Sequence, residues 1–386
     1  MSTTLPLFDE PETPESESTT ELRIADEPIV VRRSELENYA NCPLAARMAG
    51  SVSKLAEAGE QCHQIIAGAI RKFVTTKGHM KAPDLADFMI RGSWEARGDV
   101  NQETVDAMRP GAWSIARYIS ELHWSNILAF DGGEFGEDGK KLTASYTYED
   151  EEGCAFTEEI TCSGQFDADI DVLHPITDEL QAMRLTAEFD LLHSVRYPNR
   201  LQLVDWKTGH AKWTDAMVES SFQFQFYAYL VLASFPTMDA VDVIIFNVRH
   251  NTRTAGVRFL RSDMDRIRGR IEEACRTYLM NYLIPLEQVE TRPSREGCQF
   301  CDQAARCTVC DWDIHDTAAD PPRALRHLIV LEQAVKCRKT GLNAECKKSG
   351  DDIQSGNDKY GMKKPRSRIV PGFYSASASI EDGGEE

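Results

Sequence analysis

Leu203-Val204-Asp205-Trp206-Lys207-Thr208-Gly209 reads as an apolar strand that ends in Asp-x-Lys and then turns. Residues two apart on a strand share a face, so Asp205 and Lys207 project together from the strand tip. A carboxylate beside an ammonium can hold a divalent cation and a nucleophilic water side by side. The lysine then orients or deprotonates the water, or offsets charge growing on a phosphate, while the metal lowers the water's pKa. One carboxylate makes a poor magnesium site, so more donors are needed. Asp190 lies 15 residues upstream, which suits an adjacent antiparallel strand joined through the turn Tyr197-Pro198-Asn199. His63 is a third candidate, at the edge of a helix's apolar face beside Ile66 and Ile70. Taken singly, these are a surface ion pair, a turn acid and a satisfied helix histidine. Their order and spacing give them joint meaning.

Around this centre the pattern is mixed. Residues 1–28 carry eight acidic side chains and one basic one and read as a disordered acidic tail. Ser34 is a candidate N-cap, with Glu37 as its capping-box partner. Helical periodicity follows at Leu55–Phe73, Pro83–Glu95 and Gln102–Leu128, so a helical insertion spans about 75–135. Strands are expected at Leu142–Tyr148, Phe156–Val172, Met183–His193, Leu201–Trp206, Ala240–Val248 and Ala255–Leu260. Helices are expected at Asp215–Ser234, at Ser262–Asn281 behind a Ser262 cap, and at Pro322–Lys339. The order predicts an α/β fold, a mixed sheet flanked by helices. Residues 29–312 form the main domain, and 313–386 form a last helix and a basic, loop-like tail.

The formal net charge of −19 argues against broad nucleic-acid binding, but the acidic tails hold much of the excess, so any basic surface is local. A hydrophobic content of 42% excludes wholesale disorder. No apolar run is long enough for a membrane span, and the acidic start lacks the features of a signal peptide. A cytoplasmic protein with no membrane partner is expected. Its 11 cysteines then suggest metal ligands rather than disulfides. Cys298, Cys301 and Cys307 are spaced C-x2-C-x5-C and need a fourth ligand. Cys310 would complete a local zinc site; Cys42, in Tyr39-Ala40-Asn41-Cys42-Pro43, is the distant alternative.

His63, Asp190, Asp205-x-Lys207-Thr208-Gly209 and Gln223-x-x-x-Tyr227 together resemble the motif series of RecB-like nucleases in the PD-(D/E)XK superfamily. Trp206 stands where that family commonly has tyrosine. Ala187-x-x-Asp190 stands where it has Gly-x-x-Asp, and a true Gly164-x-x-Asp167 leaves Asp167 as a rival. The resemblance implies a restriction-endonuclease-like fold. It implies Mg2+ or Mn2+ on His63, Asp190, Asp205 and the Trp206 carbonyl, with Lys207 assisting the attacking water. Gln223 and Tyr227, one helical turn apart, would help to hold the lysine and the DNA; Gln225 replaces Gln223 if the segment is not helical. Ser34-x-Leu36-x-x-Tyr39-x-x-Cys42-Pro43 before the core, with the cysteine triplet after it, is similar to the iron–sulfur nucleases of the bacterial AddB and CRISPR-associated RecB-like families. That implies a 4Fe-4S cluster on Cys42, Cys298, Cys301 and Cys307, the cysteine-rich loop clasping the domain.

The implied function is metal-dependent hydrolysis of DNA, from single-stranded or free ends, in recombination, repair, phage DNA processing or CRISPR adaptation. Helicase, recombination or CRISPR proteins are the expected partners. Trp206, Trp213, Phe224 and Tyr227 are candidates for stacking on bases. The rivals are a non-catalytic DNA-binding scaffold that keeps the fold and a zinc-dependent interaction module.

Overall fold

The computed structural model describes residues 27–48, 54–95, 101–133, 143–149, 152–161, 164–195, 200–282 and 284–292, together with short pieces between 335 and 375. The chain opens with strand β1 (Ile29–Arg32), helix α1 (Arg33–Asn41) and the short α2 (Pro43–Arg47). Three longer helices follow: α3 (Lys54–Thr75), α4 (Ala82–Trp94) and α5 (Asn101–Glu121). Next come β2 (Ile127–Phe130), the hairpin β3 (Thr143–Glu149) and β4 (Ala155–Thr161), then β5 (Gln165–Leu173), β6 (Leu180–Glu188), β7 (Leu191–Ser194) and β8 (Arg200–Lys207). Helices α6 (Asp215–Ser220) and α7 (Phe222–Ser234) lead to β9 (Ala240–Asn247), β10 (Thr252–Arg253), β11 (Val257–Leu260) and α8 (Met264–Tyr282).

The central sheet runs β10-β9-β8-β7-β2, with β11 also on β9. Strands β8 and β9 are parallel, whereas β7 lies antiparallel to both β8 and β2. A smaller sheet, β1-β6-β5, holds β1 parallel to β6. The chain passes from one sheet to the other between β6 and β7, at Phe189 and Asp190.

Alternation along β8 divides the interior. Leu201 and Leu203 pack with Phe226, Leu230 and Ile271 of α7 and α8. Val204 and Trp206 pack with Ile66, Ile70 and Ile115 of α3 and α5 on the other side. Helix α7 is buried on all sides, ten of its thirteen residues lying in the interior. On the opposite layer, Gly111 of α5 lets the helix touch the Val248 backbone. A β-carbon there would stand 2.6 Å from the Val248 carbonyl oxygen.

Several sequence expectations change. Leu128 belongs to β2 in the central sheet, not to the helix before it, so the 75–135 stretch is not one insertion. Strand pairing, a tertiary choice, overrides local helical periodicity there. The expected helix over 215–234 breaks at Ser221 into α6 and α7. Helix α1 starts two residues earlier than expected: Arg32, not Ser34, is the cap, and its N–H donates to Glu35 at 2.7 Å. Glu37 instead pairs with Arg33. Ser262 lies in a 3-10 turn (Arg261–Asp263), and Asp263 accepts the Leu260 N–H. The loop-like tail contains a three-stranded meander, β12 (Ile353–Ser355), β13 (Asp358–Lys363) and β14 (Val370–Ser375). The acidic tail 1–26, the turn 196–199, the cysteines at 298, 301, 307 and 310, and nearly all of the expected helix 322–339 lie outside the described residues.

Candidate active site

Strand register brings the first two acids together. Leu191 pairs with Val204, so one step further places Asp190 beside Asp205. Asp190 sits where the chain changes sheets and is pinned there: its Oδ2 accepts the Trp206 backbone N–H at 2.8 Å. Its Oδ1 meets Nδ1 of His63, on α3, at 2.9 Å. On β8, the Lys207 ammonium lies 2.8 Å from Asp205 Oδ1.

Helix α7 supplies the other half. Lys207 Nζ donates to Gln223 Oε1 at 3.0 Å, while Gln223 Nε2 faces Asp205 Oδ2 at 3.1 Å and the Tyr227 hydroxyl at 3.2 Å. Positions 223 and 227 share a helix face, so one amide bridges lysine, carboxylate and phenol. The rings of Trp213 and Phe224 stand 5.4 and 5.3 Å from the ammonium. All these polar groups border a cavity of about 600 Å3.

The electrostatics divide the two acids. Burial opposes the charge on Asp190, but His63, the Trp206 N–H and Lys207 together hold its pKa below the usual carboxylate range. Burial, reinforced by the Asp190 charge, pushes Asp205 upward against the pull of Lys207. For His63, burial disfavours the imidazolium, but contact with Asp190 outweighs it and pushes the pKa up to about 9. Burial also pushes the Tyr227 phenol up to about 12, so it stays a neutral hydroxyl, accepting from Gln223 Nε2. Cys62, on α3, is buried with its thiol pushed up to about 12, an inert core group.

The structure thus gathers His63, Asp190, Asp205, Lys207, Gln223 and Tyr227 in one place. Asp167 is not among them: it is exposed on β5, opposite Thr186, and does not border the cavity. Gln225 turns away, bonding the Glu219 carbonyl at 2.7 Å and Arg270 at 2.6 Å. Trp206 and Phe224 are fully buried, which removes them from any stack with bases. Trp206 packs on Phe246 at 5.0 Å instead. Trp213 is half-buried and packs edge-on against Phe224.

Several bordering residues escaped the sequence reading, Asp131, Glu60 and Arg33 among them. Asp131 follows β2, and burial together with the nearby Asp190 charge raises its pKa. It precedes Gly132, whose positive φ of 63° turns the chain, and the Gly132 carbonyl is held by Arg71 at 2.6 Å. Glu60 lies one turn before His63 on α3, and Arg33 opens α1. Glu60, three before His63, was the one a helical-face argument would have found.

The donors suit a hard divalent cation. Asp205 Oδ1 is buried and, despite the nearby ammonium, accepts no well-formed hydrogen bond. That leaves lone pairs for a metal. Among the described residues, no three His, Cys, Asp or Glu side chains are already clustered as ligands. The ion pairs His63–Asp190 and Lys207–Asp205 hold these groups instead.

Residues 33–308 match the family described as the PD-(D/E)XK nuclease superfamily, and the chain belongs to it. The α/β fold, with its mixed sheets between helices, agrees with that membership. The superfamily's chemistry is phosphodiester hydrolysis, with DNA as substrate and generally with Mg2+ or Mn2+. No curated protein sequence matches the chain. No helix among the described residues is long and apolar enough to cross a membrane.

Proposed function

We propose that this chain is a Mg2+- or Mn2+-dependent deoxyribonuclease that cuts DNA from single-stranded or free ends. The observation that carries the reading is the unbroken chain Tyr227–Gln223–Lys207–Asp205 beside His63–Asp190 in a single cavity. His63, Asp190, Asp205 and the Trp206 carbonyl are the metal donors. Bound there, the cation lowers the pKa of water and polarises a phosphoryl oxygen.

The protein's own groups do the rest. Lys207 positions the attacking water and offsets charge on the phosphate. Gln223 and Asp205 hold the ammonium in place, and Tyr227 holds Gln223. The water oxygen bonds to phosphorus as the bridging P–O bond breaks in line with it. The proton shed by the water is balanced by one taken up by the leaving oxygen. No covalent enzyme intermediate is needed. The setting is recombination, repair, phage DNA processing or CRISPR adaptation, beside a separate motor or adaptation protein.

The test is cleavage of end-labelled single- and double-stranded DNA with Mg2+ or Mn2+ by anaerobically purified protein. Cutting is expected for the wild type and not for Lys207→Ala or Asp205→Ala. Metal-dependent cutting that persists in both variants removes this site from the chemistry.

A 4Fe-4S cluster on Cys42, Cys298, Cys301 and Cys307 is part of the same proposal. Its support is the docking of residues 290–292 on the turn that carries Cys42. The Leu44 N–H donates to the Glu290 carbonyl at 3.1 Å, and Arg292 donates to the Ala40 carbonyl at 3.3 Å. Cys298 is six residues on, a reach of roughly 20 Å at most. Brown, iron-containing protein that bleaches in Cys42→Ser is expected. Colourless zinc protein, indifferent to Cys42→Ser and dependent on Cys310, rejects the cluster.

A further inference from the structure

The cavity poses an electrostatic problem for its substrate. Glu60, Asp131, Glu188, Asp190 and Asp205 all border it. A nucleic-acid strand brings more negative charge, so cations must meet it. Lys207 is engaged by Asp205 and Gln223, and His63 by Asp190. The other cationic side chains on the border are Arg32 and Arg33.

These two arginines sit where β1 passes into α1. Arg32 is exposed, while Arg33 is half-buried with its guanidinium carbon 5.9 Å from the centre of the Tyr227 ring. Its Nε is buried and makes no hydrogen bond. An unbonded guanidinium N–H in a buried setting is costly, and a planar fork matches two phosphate oxygens at once. Glu37 pairs with the Nη1 end, and the Tyr227 hydroxyl is the other polar neighbour of the guanidinium.

We infer that Arg33, with Arg32 beside it, is a binding site for a phosphate group of the substrate strand, next to the Tyr227 end of the catalytic hydrogen-bond chain. This rests on the nuclease reading. It deepens that reading by naming what holds the strand against an acidic cavity. Arg33 grips the phosphate through the guanidinium edge that borders the cavity, beside the Tyr227 hydroxyl, and the exposed Arg32 adds charge at the rim. The group bound is either a phosphodiester within the strand or a phosphate at its end.

The inference is tested by binding and cleavage of fluorescent single-stranded oligonucleotides, 5′-phosphorylated or 5′-hydroxyl. Equilibrium binding is measured by anisotropy in Ca2+ across a salt series, and cleavage in Mg2+. Arg33→Gln is expected to weaken binding about tenfold and to lower the slope of log affinity against log salt by about one. KM rises by a similar factor, with kcat little changed. Arg33→Lys recovers part of the affinity. Glu37→Gln removes the carboxylate partner of Arg33 and separates the roles. A phosphate site predicts unchanged or tighter binding, whereas a purely structural ion pair predicts the same loss as Arg33→Gln. A deficit in Arg33→Gln seen only with the phosphorylated oligonucleotide assigns a terminal phosphate, and an equal deficit with both assigns an internal one. Unchanged binding and salt slope in Arg33→Gln, while the wild type still cuts, overturn the arginine site alone. Wild-type binding without cutting, lost in Arg33→Gln, leaves the arginine site standing and removes the nuclease reading. No wild-type binding removes both.

Discussion

The two layers that flank β8 contribute to the site in different ways. Helix α7 is immersed in the core, and its Gln223 and Tyr227 reach Lys207 through hydrogen bonds between groups locked by packing. Helix α3 is amphipathic, and its His63 reaches Asp190 from the cavity edge through an ion pair. The α7 side is therefore set by shape and changes little with conditions. The α3 side is set by charge and responds to protons and metal. One layer fixes the lysine; the other sets the charge on the proposed metal donors.

The contrast breaks first at Lys207. Lys207→Ala should lower the single-turnover cleavage rate by about 10^2–10^3-fold, with DNA affinity in Ca2+ largely retained. Next come the two helices. Gln223→Leu should cost about 10–100-fold in rate with metal affinity nearly unchanged, the usual cost of losing a supporting partner. His63→Ala should instead raise the Mn2+ concentration needed for half-maximal rate by at least that factor. Equal effects of both variants on metal affinity would erase the distinction.

A pH series sharpens it. Below about 9, His63 is protonated in the metal-free protein. A cation must displace that proton, so metal affinity should climb with pH, by up to about tenfold per unit, and level off above about pH 9. Calorimetry in two buffers of different ionisation heat would report the released proton, and His63→Ala should abolish it. Without metal, the sign for stability is opposite. The pKa of His63 is raised, so its ion pair stabilises the fold fully below the ordinary histidine range near 6.5. That contribution is lost as pH rises through about 9. The smallest effect on chemistry is expected from Gly111→Ala. It forces α5 off Val248 and should cost about 1–3 kcal/mol of stability by thermal unfolding, with kcat per folded molecule unchanged.

Much of the site was legible because it obeys short periods. Asp205 and Lys207 follow the strand period, Gln223 and Tyr227 the helix period, and Asp190 the register of a hairpin. Asp131 was not legible. It follows a four-residue strand, Ile-Leu-Ala-Phe, that is indistinguishable in sequence from the helix before it. Only pairing with β7 makes it a strand. Arg33 was hidden for a related reason: a basic residue at a helix start is ordinary, and its place beside Tyr227 is set by the docking of α1. The rival Gly-x-x-Asp at Gly164–Asp167 could be set aside only with the sheets in view. It matches the motif locally, but β5 sits in the second sheet with Asp167 exposed.

The N-terminal segment has no seat until late in synthesis. Strand β1 lies along Met183–Thr186, α1 packs on α8, and Leu44 hydrogen-bonds Glu290. Each of these supports leaves the ribosome well over a hundred residues after the segment they hold. A nascent chain halted after β9 could assemble β7, β8 and β9 with their carboxylates and lysine. It would still lack α8, one of the elements on which α1 packs. Such long-range closure makes folding slow, and the α1–α8 contact is among the last to form.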